Sequence, residues 1–229
     1  MSEEEWLAAV EPWSLINFTG SAASKRKLRL FTCACCRQVL NPFVPSVVGL
    51  ALTVAEAFAD DEISAATLAR VGPVVGQAFA GATDAADRGT GYLRHLSEAC
   101  DWACEPGDEA RAAGNAALAA ARASADVPWP ATDELHRGCP NELAGQADLF
   151  RDIFGNPFCS LELKLEWLTD TVLALARGVY AERAFDRMPI LADALQDAGC
   201  DDDEILAHCR AEREHARGCW VVDLLLGKT

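Results

Sequence analysis

The stretch PSVVGLALTVAEAFA, residues 45–59, decides the fold class. Its apolar residues recur at helical spacing, and they cover nearly every side of a helix: Val47, Leu50, Ala51, Val54 and Phe58. The stretch contains Glu56 and is shorter than the ~20 residues that a membrane-spanning helix needs. It therefore predicts a central, buried helix of a soluble protein.

The segment before this helix predicts another one. Ser24 can cap its start, and Asn41-Pro42 ends it. One face is apolar and carries Leu28, Phe31, Cys35 and Val39. The other side is basic, with Lys25, Arg26, Arg29 and Arg37. We interpret the basic side as a solvated face, with contact to a phosphate or an acidic partner as the alternative.

Helical spacing continues through the rest of the chain, and the one alternating run, Leu161 to Glu166, cannot make a sheet alone. The sequence predicts an all-α protein of roughly nine to eleven helices in one bundle-like or orthogonally packed domain, with room for two subdomains. We expect an N-terminal helical region (1–126), a proline-rich loop or linker (127–140) and a C-terminal helical region (141–229). The alanine-rich helix ending near Ser124 is expected to be partly exposed.

Composition limits the classes of function. The 229 residues include 20 basic and 35 acidic side chains, a net charge of −15, which argues against a general nucleic-acid binder. The acidic start, Met1 to Glu5, has no feature of a secretory signal, so we expect a cytoplasmic protein that does not bind membranes. In that compartment the ten cysteines are expected to be thiols or metal ligands.

Two clusters could carry chemistry. Cys33 and Cys36 share a helical face and could hold one metal ion, whereas Cys35 is expected in the core. Offsets of seven and four would place His208, His215 and Cys219 on one helical face, although Gly218 should fray that face before Cys219. The alternative for the two histidines is a solvated helix face among charged neighbours.

The most specific hypothesis is a zinc site made by Cys36, His208, His215 and Cys219, with Cys33 as an alternative ligand to Cys36. A further alternative is an enzyme with a Cys/His or carboxylate site; Cys139 with His136 offers a thiol and a base, although no catalytic motif supports it. Because no such motif occurs, we expect a non-catalytic protein-interaction or regulatory module with a protein partner.

Long strings at both ends of the chain carry a resemblance. They are Trp6 with residues 25–31 and 35–37, then 151–158, 183–200, 208–210 and 215–228, the last ending in GCWVVDLLLGK. In these strings the chain resembles a group of uncharacterised planctomycete-type bacterial proteins. The resemblance leaves residues 60–140 mostly uncovered, and it implies no catalytic residue or cofactor for these positions.

Overall fold

The computed structural model describes residues 1–41, 44–85, 91–124, 140–159 and 162–229. Every regular element in these ranges is helical, and ten of the helices found there have eight or more residues. The predicted all-α class with roughly nine to eleven helices is therefore confirmed. Within the same ranges, no helix has the combination of length and apolarity that crossing a bilayer requires.

The chain divides into an N-terminal unit, Met1–Phe150, and a C-terminal unit, Arg151–Thr229. Helices of the first are α1 (Glu3–Ala8), α2 (Pro12–Thr19), α3 (Lys25–Gln38), α4 (Ser46–Ala59), α5 (Ala65–Leu68), α6 (Val71–Ala85), α7 (Gly91–Cys104), α8 (Glu109–Ser124) and most of α9 (Pro140–Phe154). The second contains the end of α9, then α10 (Asp170–Glu182), α11 (Met188–Asp197), α12 (Asp203–Arg210) and α13 (Trp220–Leu226). The division falls inside α9. The predicted linker stays a prediction, because residues 125–139 lie outside the described ranges.

The core of the N-terminal unit is built around α8, which packs against both α3 and α7. Eight of its alanines are buried: Ala112, Ala113, Ala116, Ala117, Ala119, Ala120, Ala121 and Ala123. The helix is partly exposed as expected, at Arg111 and Ser124, but half of its residues are buried. Small side chains let neighbouring helices approach α8 closely, so a helix with little side chain to bury can still be central.

Arg29 also differs from its expected place on a solvated face, since only 3% of it is exposed. Its guanidinium donates hydrogen bonds of 2.7 and 2.9 Å to the carbonyl oxygens of Ala103 and Glu105, and Glu109 Oε1 lies 3.3 Å away. These carbonyls belong to the C-terminal end of α7, where backbone acceptors have no partner within the helix. The buried guanidinium of Arg29 thus caps the C-terminal end of α7.

The thiols of the N-terminal unit lie in its core. Cys33, Cys35, Cys36 and Cys100 have no exposed surface, and Cys104 is 4% exposed. Burial raises the pKa of both Cys33 and Cys104 to about 12, so these thiols are protonated at neutral pH. A hydrogen bond with Cys100, together with burial, raises the pKa of Cys36 as well. The predicted core packing of Cys35 is confirmed.

The C-terminal unit has its own apolar core, contributed by α10 to α13. Asp202 caps α12 by accepting hydrogen bonds of 3.0 Å from the backbone N–H groups of Glu204 and Ile205. Trp167 is buried and donates from Nε1 to the carbonyl of Gly199 at 3.2 Å. These contacts fix the entry to α12, the helix that carries His208.

Candidate metal centre

Four side chains of the C-terminal unit meet in its interior: Asp152, His208, His215 and Cys219. One donor atom from each lies within 4.8 Å of the donor atoms of the other three. The side chains of Asp152, His208 and His215 are 0%, 7% and 3% exposed, and Cys219 is 0% exposed. In the described part of the chain this is the one such group of three or more histidine, cysteine or carboxylate side chains.

The chain brings these residues together with a loop instead of one long helix. Helix α12 ends at Arg210 because Ala211 adopts an extended conformation, with φ −66° and ψ 133°. His215 lies in the following loop, and Cys219 is the residue before α13. Gly218 has a φ of +95°, a backbone conformation that residues other than glycine rarely adopt. The predicted grouping of His208, His215 and Cys219 is therefore right, but the helical face that predicted it is wrong.

Asp152, in the last turn of α9, is the common acceptor of the group. Its Oδ1 lies 2.6 Å from His215 Nδ1 and 3.2 Å from His208 Nε2. Its Oδ2 accepts a 2.9 Å hydrogen bond from the backbone N–H of Ala216. Burial alone would raise the pKa of Asp152, but the hydrogen bonds from the two histidines outweigh it and lower the pKa. Asp152 is therefore a carboxylate at neutral pH.

Cys219 faces the same point from the start of α13. Its Sγ lies 3.2 Å from His208 Nε2 and 3.9 Å from His215 Nδ1. Burial, reinforced by the negative charge of Asp152, raises the pKa of this thiol well above 9. Without a cation at the centre, Cys219 is thus a protonated thiol, and a thiolate here needs a compensating positive charge.

His208 is held from its other side by Trp220. The indole Nε1–H donates to His208 Nδ1 at 2.9 Å, which assigns the proton of a neutral ring to Nε2. Burial lowers the pKa of His208, so the neutral ring is the form at pH 7. With a proton on the nitrogen that faces Cys219, this ring cannot take the thiol proton. The 3.2 Å contact is therefore not the nucleophile and base pair of a cysteine hydrolase.

The donor set suits zinc. With ligand bonds near 2.0–2.3 Å, the corners of a tetrahedron lie about 3.3–3.8 Å apart. His208 Nε2 lies 3.2 Å from both Asp152 Oδ1 and Cys219 Sγ, and Cys219 Sγ lies 3.9 Å from His215 Nδ1, all close to that range. The 2.6 Å contact between His215 and Asp152 must lengthen by roughly 0.7 Å to admit the ion. These side chains can therefore form a closed zinc site after a small shift.

The predicted site residues have different outcomes. Three of the four, His208, His215 and Cys219, meet in the group, and burial shows that the solvated-face alternative for the histidines is wrong. Cys36, with Cys33, lies on α3 in the core of the N-terminal unit, so its part in a zinc site stays a prediction. His136 and Cys139 lie outside the described residues.

Sequence reasoning missed Asp152 entirely. It lies 63 residues before His215, far beyond the range of a spacing argument. The signal that could have found it is a lone carboxylate between Phe150 and Ile153, two residues that have no exposed surface in the structure. A charge in such a position is expected to have a buried partner.

Gly155 packs against Trp220, the residue that donates a hydrogen bond to His208. Substitution of Gly155 gives a first prediction. Its φ is +73°, and an added Cβ would lie 3.2 Å from Cγ of Trp220. The matched control is Gly199, which has a φ of +87° and open space around the Cβ position. Both alanine variants carry backbone strain, but only G155A must also displace Trp220. We expect G155A to reduce the free energy of unfolding by about 1–2 kcal/mol more than G199A does.

Urea denaturation of the two variants measures this difference. Equal losses would show that the contact between residue 155 and Trp220 does not constrain the indole.

The chain matches no protein-family model, no curated protein and no solved structure in the comparisons made with each.

Proposed function

We propose that this is a non-catalytic zinc protein, in which one Zn²⁺ bound by Asp152, His208, His215 and Cys219 organises the C-terminal unit. The observation that carries the proposal is the convergence of sulfur, imidazole and carboxylate donors within 4.8 Å in the protein interior. Zinc takes this mixture of ligands in tetrahedral sites. That the protein is an interaction or regulatory module with a protein partner stays a prediction.

Charge balance supports the proposal. Two neutral imidazoles, one carboxylate and one thiolate carry two negative charges, which a divalent cation cancels. Buried charge is tolerated only where it is paired, so a dication makes the ionised Cys219 and Asp152 compatible with their lack of exposure. The donor set excludes the all-oxygen environment that Mg²⁺ and Ca²⁺ require.

Burial supports a structural role in preference to a catalytic one. A catalytic zinc keeps one position open for water or substrate, whereas a structural zinc is enclosed by four protein ligands. Here four side chains provide the donors: those of Asp152, His208 and His215 are at most 7% exposed, and Cys219 has no exposed surface. A closed site of this kind contributes to folding and offers no place for a reacting molecule.

Zinc content of matched variants tests the proposal. We expect about one zinc per chain for the wild type, and C219A should lose affinity by more than about a hundredfold because it lacks a direct ligand. The control is C209A: Cys209 is also a fully buried thiol, on α12, and lies outside the group of four. It should retain one zinc.

The protein for this test is purified without an affinity tag, and its metal is measured by mass spectrometry against protein concentration. A wild-type chain without zinc after equilibration with Zn²⁺ would contradict the proposal. Equal zinc content in C219A and the wild type would remove Cys219 from the ligand set.

A further inference from the structure

Trp220 occupies a special position beside the group of four. It is the first residue of α13 and directly follows Cys219. Its ring lies 4.9 Å from that of His208, measured between centroids, and its Nε1–H donates to His208 Nδ1 at 2.9 Å. Trp220 is 8% exposed, and its side chain lies against Gly155. Trp220 thus contacts a proposed zinc ligand on the side away from the centre.

The chemistry of imidazole makes this contact incompatible with a metal. A neutral imidazole has one N–H and one lone pair in the plane of the ring. Trp220 requires the lone pair on Nδ1, which leaves the proton on Nε2. Zinc requires the lone pair on Nε2, the atom that faces Asp152 and Cys219, which moves the proton to Nδ1. An N–H on Nδ1 would then point at the N–H of the indole.

We propose that Trp220 is a positioning residue that limits the zinc affinity of the site by holding His208 in the tautomer that cannot bind metal. The inference rests on the proposed zinc-binding function. Zinc binding must break the hydrogen bond between Trp220 and His208, so the affinity is lower than the four ligands alone would give. In most zinc sites the second nitrogen of a histidine ligand donates to an acceptor. Here it meets a donor.

The variant W220F tests the proposal because it keeps an aromatic ring and removes the N–H. Loss of one competing hydrogen bond should make zinc bind about three- to tenfold more tightly. The control is W167F: Trp167 is buried in the same unit, and its Nε1 donates to the carbonyl of Gly199, away from the group of four. Competition titration with a chromophoric chelator measures both affinities, and W167F should match the wild type.

A second measurement needs no variant. Nitrogen chemical shifts of ¹⁵N-labelled histidine report which ring nitrogen carries the proton. In wild-type protein treated with chelator, His208 should be protonated on Nε2, and addition of one equivalent of Zn²⁺ should move the proton to Nδ1. His208 protonated on Nδ1 before zinc is added would overturn the proposal.

The outcomes separate this inference from the proposed function. A wild-type chain that binds no zinc overturns the proposed function. Zinc binding at one equivalent with unchanged or weaker affinity in W220F overturns the role of Trp220 alone. Tighter binding in W220F with unchanged W167F supports both.

Discussion

Removal of zinc is expected to lower the midpoint of thermal unfolding of the C-terminal unit by roughly 15–30 °C. At free zinc a thousandfold above the dissociation constant, binding adds about 4 kcal/mol to the stability of the folded state. For a domain of 60–100 residues, each kcal/mol moves the midpoint by about 4–8 °C. The C-terminal unit spans residues 151–229 and lies in this size class. Differential scanning calorimetry of the 229-residue chain, with zinc and with excess chelator, measures the shift.

Two variants make this measurement specific. C209A should show the same zinc-dependent shift of the midpoint as the wild type. Loss of the buried thiol changes the midpoint itself but not this shift. C219A should show almost none, because it lacks the sulfur ligand. A wild-type chain that holds one zinc and yet unfolds at the same temperature after chelation would show that the ion does not organise the unit.

The helical class and many local starts of helices were predictable because they depend on short-range pattern. The capping box formed by Ser2 and Glu5 is present, with both reciprocal hydrogen bonds. Asp202 caps α12, as the acidic run at the start of that helix indicates. Such signals involve residues within one turn of each other, so the sequence contains all the information they need.

The long-range partners were not predictable, because they depend on how helices pack. The helical pattern predicts a solvated face for Arg29, but Arg29 caps a helix end 74 residues away in the chain. Asp152 contacts the two histidines from a similar distance along the chain, and it lies within 4.8 Å of the Cys219 sulfur. Sequence spacing predicts the grouping of His208, His215 and Cys219 because the short loop 211–219 brings His215 and Cys219 back to His208. No spacing rule could connect them to the end of α9.

The second large effect concerns pH. Between pH 7.5 and 8.5, zinc should bind about tenfold more tightly for each unit by which pH rises, with one proton released per ion. The cause is Cys219, whose pKa is raised well above 9 by burial, so the free site holds a thiol that must ionise to bind zinc. Asp152, whose pKa is lowered, is already ionised in this range. His208, whose pKa is also lowered, is already neutral, and zinc only moves its proton from one nitrogen to the other.

Calorimetric titration at pH 8 in buffers of different ionisation enthalpy counts the released protons directly. C209A is again the control, because burial raises the pKa of Cys209 to about 12 and its removal should leave the count at one. Affinity that does not change with pH would show that no thiol ionises on binding, and Cys219 would then not be a ligand. Release of two protons would instead indicate a second thiolate, as the hypothesis that includes Cys36 requires. If Cys219 supplies a proton, C219A should release one proton fewer per zinc than the wild type.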